Sequence, residues 1–240
     1  MIKEGVVQIM DIKLTEKDMK NLLEKLYVQS LNGINKVSEP AEELAGDYLK
    51  KHAAADEAAK AFMKNQIAKC TTSGFVTGLG GVLTIPVAVP ANIASVLYVQ
   101  LRMVACLAYM GGYDIRSERV KTMMYACLAG VSLNRIIKEL GAKMNNEHVD
   151  KLLDKIPESS MPTITEKICS QLALKTGAKV GTGTFGRAIP LLGGIVNGAL
   201  DYVETKALAE RAYEMFIKHN FLLTGKDIVE LDVPSEIKNM

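Results

Sequence analysis

The sequence predicts an all-α protein, a single-domain bundle of about eight helices around two central segments that glycine and proline interrupt. Apolar residues recur at the i, i+3, i+4 and i+7 spacing of amphipathic helices along most of the 240-residue chain. Aromatic residues make up only 5% and tryptophan is absent, so the core must consist of aliphatic and small side chains, which suit closely packed helices. Strand signals are weak, and the run from Val6 to Ile12 is the best of them.

The first helix is amphipathic and is expected to form an N-terminal segment of its own, over residues 1–36. An apolar stripe predicts this helix, and Asn32-Gly33 predicts its end. The stripe consists of Leu14, Met19, Leu22, Leu23, Leu26 and Leu31. Ser38, followed by Glu39-Pro40, predicts the start of a second helix, and Asp56 predicts the cap of an alanine-rich third helix.

Capping residues and helix breakers predict the remaining helices. These are expected at Cys70–Ile85, Ala91–Met110, Ser117–Leu128 and Ser132–Met144, between Asn146 and Pro157, at Thr163–Thr176, and from about Ile189 to Phe221. Gly111-Gly112 ends the helix from Ala91, and Pro190 falls in the first turn of the last helix, where a missing N–H is tolerated. Residues 225–240 are expected to form a loose tail.

The most unusual feature is the run from Cys70 to Leu101, thirty-two residues without a charged side chain. Pro86 and Pro90 break it near its middle, because each proline removes a backbone donor and crowds the preceding turn. As a helix, the upstream arm Cys70–Ile85 would be roughly 24 Å long, against a hydrocarbon thickness of about 30 Å. We therefore expect two separate helices joined by a proline-containing bend, with an upstream arm that would span a bilayer poorly.

Glycine pairs at GxxxG spacing occur in both central segments. They are Gly74/Gly78, Gly177/Gly181 and Gly194/Gly198. This spacing lets helix backbones approach closely, and Gly78 is predicted to tolerate no large side chain. A soluble core is favoured over membrane insertion, because each apolar arm is short and Arg102 interrupts the second one.

Two signatures in these segments carry a resemblance to a known family. The first comprises Gly74–Gly81, Pro86–Ile93, Leu97–Met103 and Gly111–Asp114, and the second comprises Ala188–Gly194 with Gly198, Asp201 and Thr205. Together they resemble the EcsC family of bacterial proteins, named for a protein encoded beside an ABC transporter, over about Ala54 to Phe216. The resemblance implies a helical domain, which we place at residues 37–224. It implies no assigned catalysis and carries over no active-site residue.

Composition and motifs exclude several classes of function. A formal net charge of +2, without a dense basic stripe, makes nucleic acid a poor partner. The four cysteines are widely spaced without a CxxC pair, which indicates a reducing, cytoplasmic environment. Gly181, Gly183 and Gly186 spell GxGxxG, but helix rather than strand is predicted before them, so we attribute the match to chance. The three histidines lie far apart and no nucleophile motif is present, so we predict no catalysis, metal or cofactor.

Polar residues inside the apolar segments are the best candidates for a binding site. On a helix from Ala91, Asn92, Ser95 and Arg102 lie within about 80° of one another, whereas Gln100 lies on a different side. On the C-terminal helix, Asp201 and Thr205 belong to a stripe of small and polar residues. Because a buried charge needs a counterpart, we predict that Arg102 pairs with Asp201 across the core. The alternative is a polar pocket for a lipid headgroup or another ligand. The candidate lipid- or partner-binding residues are Gly74, Gly78, Pro86, Pro90, Asn92, Gln100, Arg102 and Asp201.

These features favour non-catalytic binding of lipid or of a membrane-protein partner, by a cytoplasmic protein at the inner face of the membrane. The segment from Gly74 to Pro90 is the expected inserting or docking element. One alternative is a soluble interaction or scaffold protein whose glycine-rich segments are buried as core, and the sequence is compatible with a homo-oligomer. Another is a hydrolase acting on lipid, against which the absence of a nucleophile motif argues.

Overall fold

The computed structural model describes residues 15–71, 91–131, 158–180 and 198–220, with the backbone alone described at residues 70–71, 91–93, 174–180 and 198–204. The helices are α1 (Glu16–Asn32), α2 (Ala41–Lys51), α3 (Ala55–Thr71), α4 (Ala91–Met110), α5 (Glu118–Ala129), α6 (Met161–Val180) and α7 (Gly198–Phe216), with a 3₁₀ turn at Glu158–Ser160 before α6. In these ranges no strand is present, and β-type pairing is limited to an isolated bridge between Ile34 and Ser38. The predicted all-α fold is confirmed.

Helix α1 begins with a capping box. The Thr15 hydroxyl accepts a hydrogen bond from the Asp18 backbone N–H, and the Asp18 carboxylate accepts one from the Thr15 N–H, at 3.1 Å in each case. The predicted apolar stripe is buried from Met19 to Leu31 and packs against α4 and α6. The helix ends before Gly33, as predicted, and its side chains share one hydrophobic core with the other helices.

The second helix starts directly after Ser38-Glu39-Pro40, as predicted, whereas the predicted cap of the third helix at Asp56 is wrong. Helix α2 starts at Ala41 with Pro40 before it and no side-chain cap, whereas the Ser38 hydroxyl accepts a hydrogen bond from the Ile34 N–H at 3.0 Å and closes the preceding turn. Asp56 lies inside the first turn of α3. Its carboxylate binds a lysine one turn further along α3 and two side chains near the end of α7, so it connects the start of α3 with the end of α7. These partners are Lys60 at 2.7 Å, Lys218 at 2.6 Å and the hydroxyl of Tyr213.

Helix α4 is the central helix of the described bundle. It begins at Ala91, directly after Pro90, and ends at Met110, as predicted. It contacts α1, α2, α3, α5 and α7, and from Ala94 onward every side chain except Val96, Arg102 and Tyr109 is buried.

The end of α4 lies against the end of α7. Gly112, with φ at +85°, adopts a backbone conformation that favours glycine. Gly111 instead permits a close approach, because a Cβ built on it would lie well within the van der Waals contact distance of the Phe216 carbonyl oxygen and 2.9 Å from the carbonyl carbon. The predicted glycine terminus is therefore confirmed, and its two glycines serve different purposes.

The last three helices match the predictions in part. Ser117 caps α5, as predicted, by accepting a hydrogen bond from the Val120 N–H at 3.3 Å. Helix α6 extends beyond the predicted Thr163–Thr176 at both ends. The predicted end of the C-terminal helix at Phe221 is wrong, because the helix ends at Phe216. The cause is local: His219 has a φ of 53°, and the Lys218 N–H turns back to the Tyr213 carbonyl at 3.1 Å.

Several predictions fall on residues outside the described ranges. They concern the weak strand at Val6–Ile12, the helices at Ser132–Met144 and between Asn146 and Pro157, the bend at Pro86 and Pro90, residues 189–197 of the last helix, and the tail at 225–240. Cys70 and Thr71, expected at the start of a new helix, form the end of α3 instead. None of the helices in the described ranges combines the length and apolar character that a membrane crossing requires.

Candidate functional site

Arg102, one of the predicted site residues, lies on α4 beside the C-terminal end of α1. Its Nη1 donates a hydrogen bond to the Ser30 carbonyl oxygen at 3.2 Å. Ser30 belongs to the last turn of α1, whose carbonyls lack partners within the helix and carry partial negative charge. Because α1 has no basic residue in its own last turn, Arg102 supplies the cation from another helix. This contact uses one of the five N–H groups of the guanidinium.

A small cavity of about 30 Å³ lies beside Arg102, between α2, α3, α4 and the turn that follows α1. Its polar lining residues are Arg102, Gln66, Ser38 and Tyr98, and the hydroxyls of Ser38 and Tyr98 share a hydrogen bond at 2.6 Å, while apolar atoms form most of the lining. Its apolar wall consists of Val37, Leu44, Phe62, Val99 and Met103. Val37 is 43% exposed, so the cavity reaches the protein surface. Helices α3 and α4 are also the helices that precede and follow residues 72–90.

The charge of Arg102 has no close counter-ion in the described part of the chain. No carboxylate among the described residues lies within 4.0 Å of its guanidinium, and its Ser30 partner is a neutral carbonyl. Cys106, one turn further along α4, is buried, and burial raises the pKa of its thiol to about 12 even though Arg102 acts in the opposite direction. The thiol is therefore neutral, and it donates to the Ala41 carbonyl oxygen at 3.6 Å.

Gln100 lies deep in the core, and only 2% of it is exposed. It does not line the cavity beside Arg102, in agreement with the predicted difference in helix face. Its Oε1 has no hydrogen-bond partner in the described structure. Two further polar residues predicted on the core faces are also buried, Ser95 on α4 and Thr205 on α7.

The other predicted site residues cannot be placed beside this cavity from the described structure. Gly74, Gly78, Pro86 and Pro90 lie outside the described ranges, and the side chains of Asn92 and Asp201 do as well. The pairing of Arg102 with Asp201 therefore stays a prediction.

Three cavity residues were not predicted from the sequence as members of a site. Tyr98 precedes Arg102 by one helical turn, a spacing that places both side chains on one face of α4 and was available as a signal. Ser38 was assigned to the start of a helix, and Gln66 carries no motif. Their convergence depends on the packing of α3 and the turn after α1 against α4.

The described helices all lie within a region that matches a known protein family. The sequence pattern of the EcsC protein family matches residues 4–218. The chain belongs to the EcsC family. The match includes α1, which we had predicted to be a segment outside the family domain. The match ends two residues after α7. No curated protein and no solved structure matches the chain.

Proposed function

We propose that this EcsC protein binds lipid at the cytoplasmic surface of a membrane, without catalysis, through the uncharged segment between α3 and α4. The observation that carries the proposal is the run of thirty-two uncharged residues from Cys70 to Leu101, broken by Pro86 and Pro90. The part of this run between α3 and α4, residues 72–90, is suited to entering the interfacial region, whereas the prolines disfavour one continuous spanning helix.

The described end of α3 supports this proposal. Lys64 and Lys69 lie in its last two turns and are exposed, immediately before the uncharged segment. Lysines next to an apolar arm favour a surface of anionic lipids, at about 1 kcal/mol per residue near the surface. Their long side chains also allow the charged ends to stay among the headgroups while the arm lies deeper.

Vesicle sedimentation tests the proposal. Purified protein is centrifuged with vesicles of phosphatidylcholine alone and of phosphatidylcholine with phosphatidylglycerol, and we expect it to sediment with the second kind. Val82→Glu, which places a charge in the arm, should abolish sedimentation. Val28→Glu is the matched control, because Val28 is 52% exposed on α1 and its substitution leaves the arm intact. The proposal is refuted if the wild-type protein stays in the supernatant, or if Val82→Glu sediments as well as Val28→Glu does.

A second function, a soluble interaction protein with the uncharged residues as core, is favoured by one observation. The part of the uncharged run that is described, on α4, is buried between five helices. Native mass spectrometry of the purified protein separates the two functions, because this alternative predicts a bound protein or a second copy, and the first predicts a bound lipid.

A further inference from the structure

We propose that the cavity beside Arg102 binds the phosphodiester group of a phospholipid, with the Arg102 guanidinium as the cation that holds it. The proposed function supplies the lipid as the source of this group. The site itself is argued from the residues that surround the cavity.

The first argument is the unbalanced charge. Arg102 is partly buried, and within the described residues it has a carbonyl oxygen but no carboxylate as partner. A cation withdrawn from water without a counter-ion is destabilising, and a bound anion offsets that loss. A guanidinium binds two oxygens of a phosphate group through parallel hydrogen bonds, and one contact to Ser30 leaves donors for this.

The second argument is the size and polarity of the cavity. A volume of about 30 Å³ holds about two water-sized atoms, which matches the two non-bridging oxygens of a phosphodiester. The Ser38 and Tyr98 hydroxyls share one hydrogen bond, so one of their two O–H groups remains to donate, and the Gln66 amide provides further donors. The apolar residues that line the cavity lower the local dielectric constant and so strengthen these contacts.

Gln66→Glu is the sharpest test, because it replaces an amide by a carboxylate of the same shape at the cavity wall. The new carboxylate should pair with Arg102 and repel an anion. Asn65→Asp is the matched control: it adds the same charge at the neighbouring position, where the side chain is exposed and bonds Tyr48 instead of lining the cavity. Arg102→Lys keeps the charge but loses the paired donors.

Binding is measured by isothermal titration calorimetry with short-chain dihexanoyl phosphatidylglycerol below its micelle concentration, and with inorganic phosphate. We expect the lipid to bind, Gln66→Glu and Arg102→Lys to weaken it by about tenfold or more, and Asn65→Asp to leave it within about twofold. Thermal denaturation should show Gln66→Glu to be at least as stable as Asn65→Asp, so that weaker binding cannot be ascribed to unfolding.

Three results would overturn the proposal. Equal lipid affinity of the Gln66→Glu and Asn65→Asp variants would show that the lipid does not bind in this cavity. Tight binding of inorganic phosphate without binding of the lipid would show that free phosphate is the ligand. Binding that appears only in Asp201→Asn would show that Asp201 neutralises Arg102. Failure of the proposed function can be distinguished from failure of this site. In that case the short-chain lipid would bind, but the protein would not sediment with vesicles.

Discussion

The close approach of α4 and α7 at Gly111 makes a strong prediction about stability. Gly111→Ala would place a Cβ 2.9 Å from the carbonyl carbon of Phe216, where ordinary van der Waals contact begins at 3.4 Å. The conflict involves backbone atoms, which cannot rotate away as a flexible side chain would. The carbonyl oxygen of Phe216 would lie closer still, so the end of α7 must move by about 1 Å or more, against the packing of Phe216 on the Tyr113 ring, whose centroid is 5.4 Å away.

Overpacking of this kind costs about 1–3 kcal/mol, which for a chain of this size lowers the melting temperature by about 2–12 °C. The control is Gly46→Ala in the middle of α2, where a Cβ meets nothing within 4 Å. There the same substitution should stabilise the protein by about 0.5–1 kcal/mol, because alanine favours the helix.

Urea unfolding followed by circular dichroism measures both variants. The change in the unfolded chain is similar for the two glycine-to-alanine substitutions, so the difference between them reports on the folded state. We expect Gly111→Ala to be less stable than Gly46→Ala by about 1.5–4 kcal/mol. If Gly111→Ala were as stable as the wild-type protein, the contact between the ends of α4 and α7 would be wrong.

Three further predictions concern other parts of the molecule. Thr15→Ala removes the cap of α1 and should lower the unfolding free energy by about 0.5–2 kcal/mol in urea titrations, whereas Thr163→Ala, at an exposed position of α6, should have little effect. Hydrogen bonds from Lys218, Lys60 and Tyr213 hold the pKa of Asp56 below its usual range, so the contribution of Asp56 to the unfolding free energy is complete above pH 4 and is lost as the pH falls. The stability difference between the wild-type protein and Asp56→Asn should therefore shrink in acid. A constant difference from pH 6 to pH 2 would contradict this. Burial raises the pKa of the Cys106 thiol to about 12 and the pKa of the Cys127 and Cys169 thiols to about 11. In a Cys70→Ser variant, a disulfide reagent at pH 8 should therefore label these three thiols only after the protein is unfolded.

Helix boundaries set by local chemistry could be predicted from the sequence. The start of α4 after Pro90 and its end at Gly111 both depend on residues adjacent in the chain. The Ser117 cap and the apolar stripe of α1 are local in the same sense, and both are confirmed. Arg102 could likewise be singled out as the charge that interrupts an apolar run.

The partners of Ser38 and Asp56 could not be predicted, because they are distant in the sequence. Ser38 and Tyr98 are 60 residues apart, and Asp56 and Lys218 are 162 residues apart. From the local sequence alone, a serine or an aspartate near a helix start is expected to cap that helix. Here groups that are distant in the sequence bind the side chain instead. The cavity beside Arg102 has the same origin, because its polar wall joins α3, α4 and the turn after α1.

The central position of α4 also bears on how the protein is made. The helix is complete once residue 110 has been synthesised, but the α7 residue that packs against its end, Phe216, follows 106 residues later. At a translation rate of about 5–20 residues per second, this part of α4 stays uncovered for roughly 5–20 seconds on the ribosome. A nascent chain in which the apolar residues on the α7 side of α4 stay exposed for so long is a natural client for chaperones. Codons that slow translation between α4 and α7 should therefore reduce the yield of folded protein.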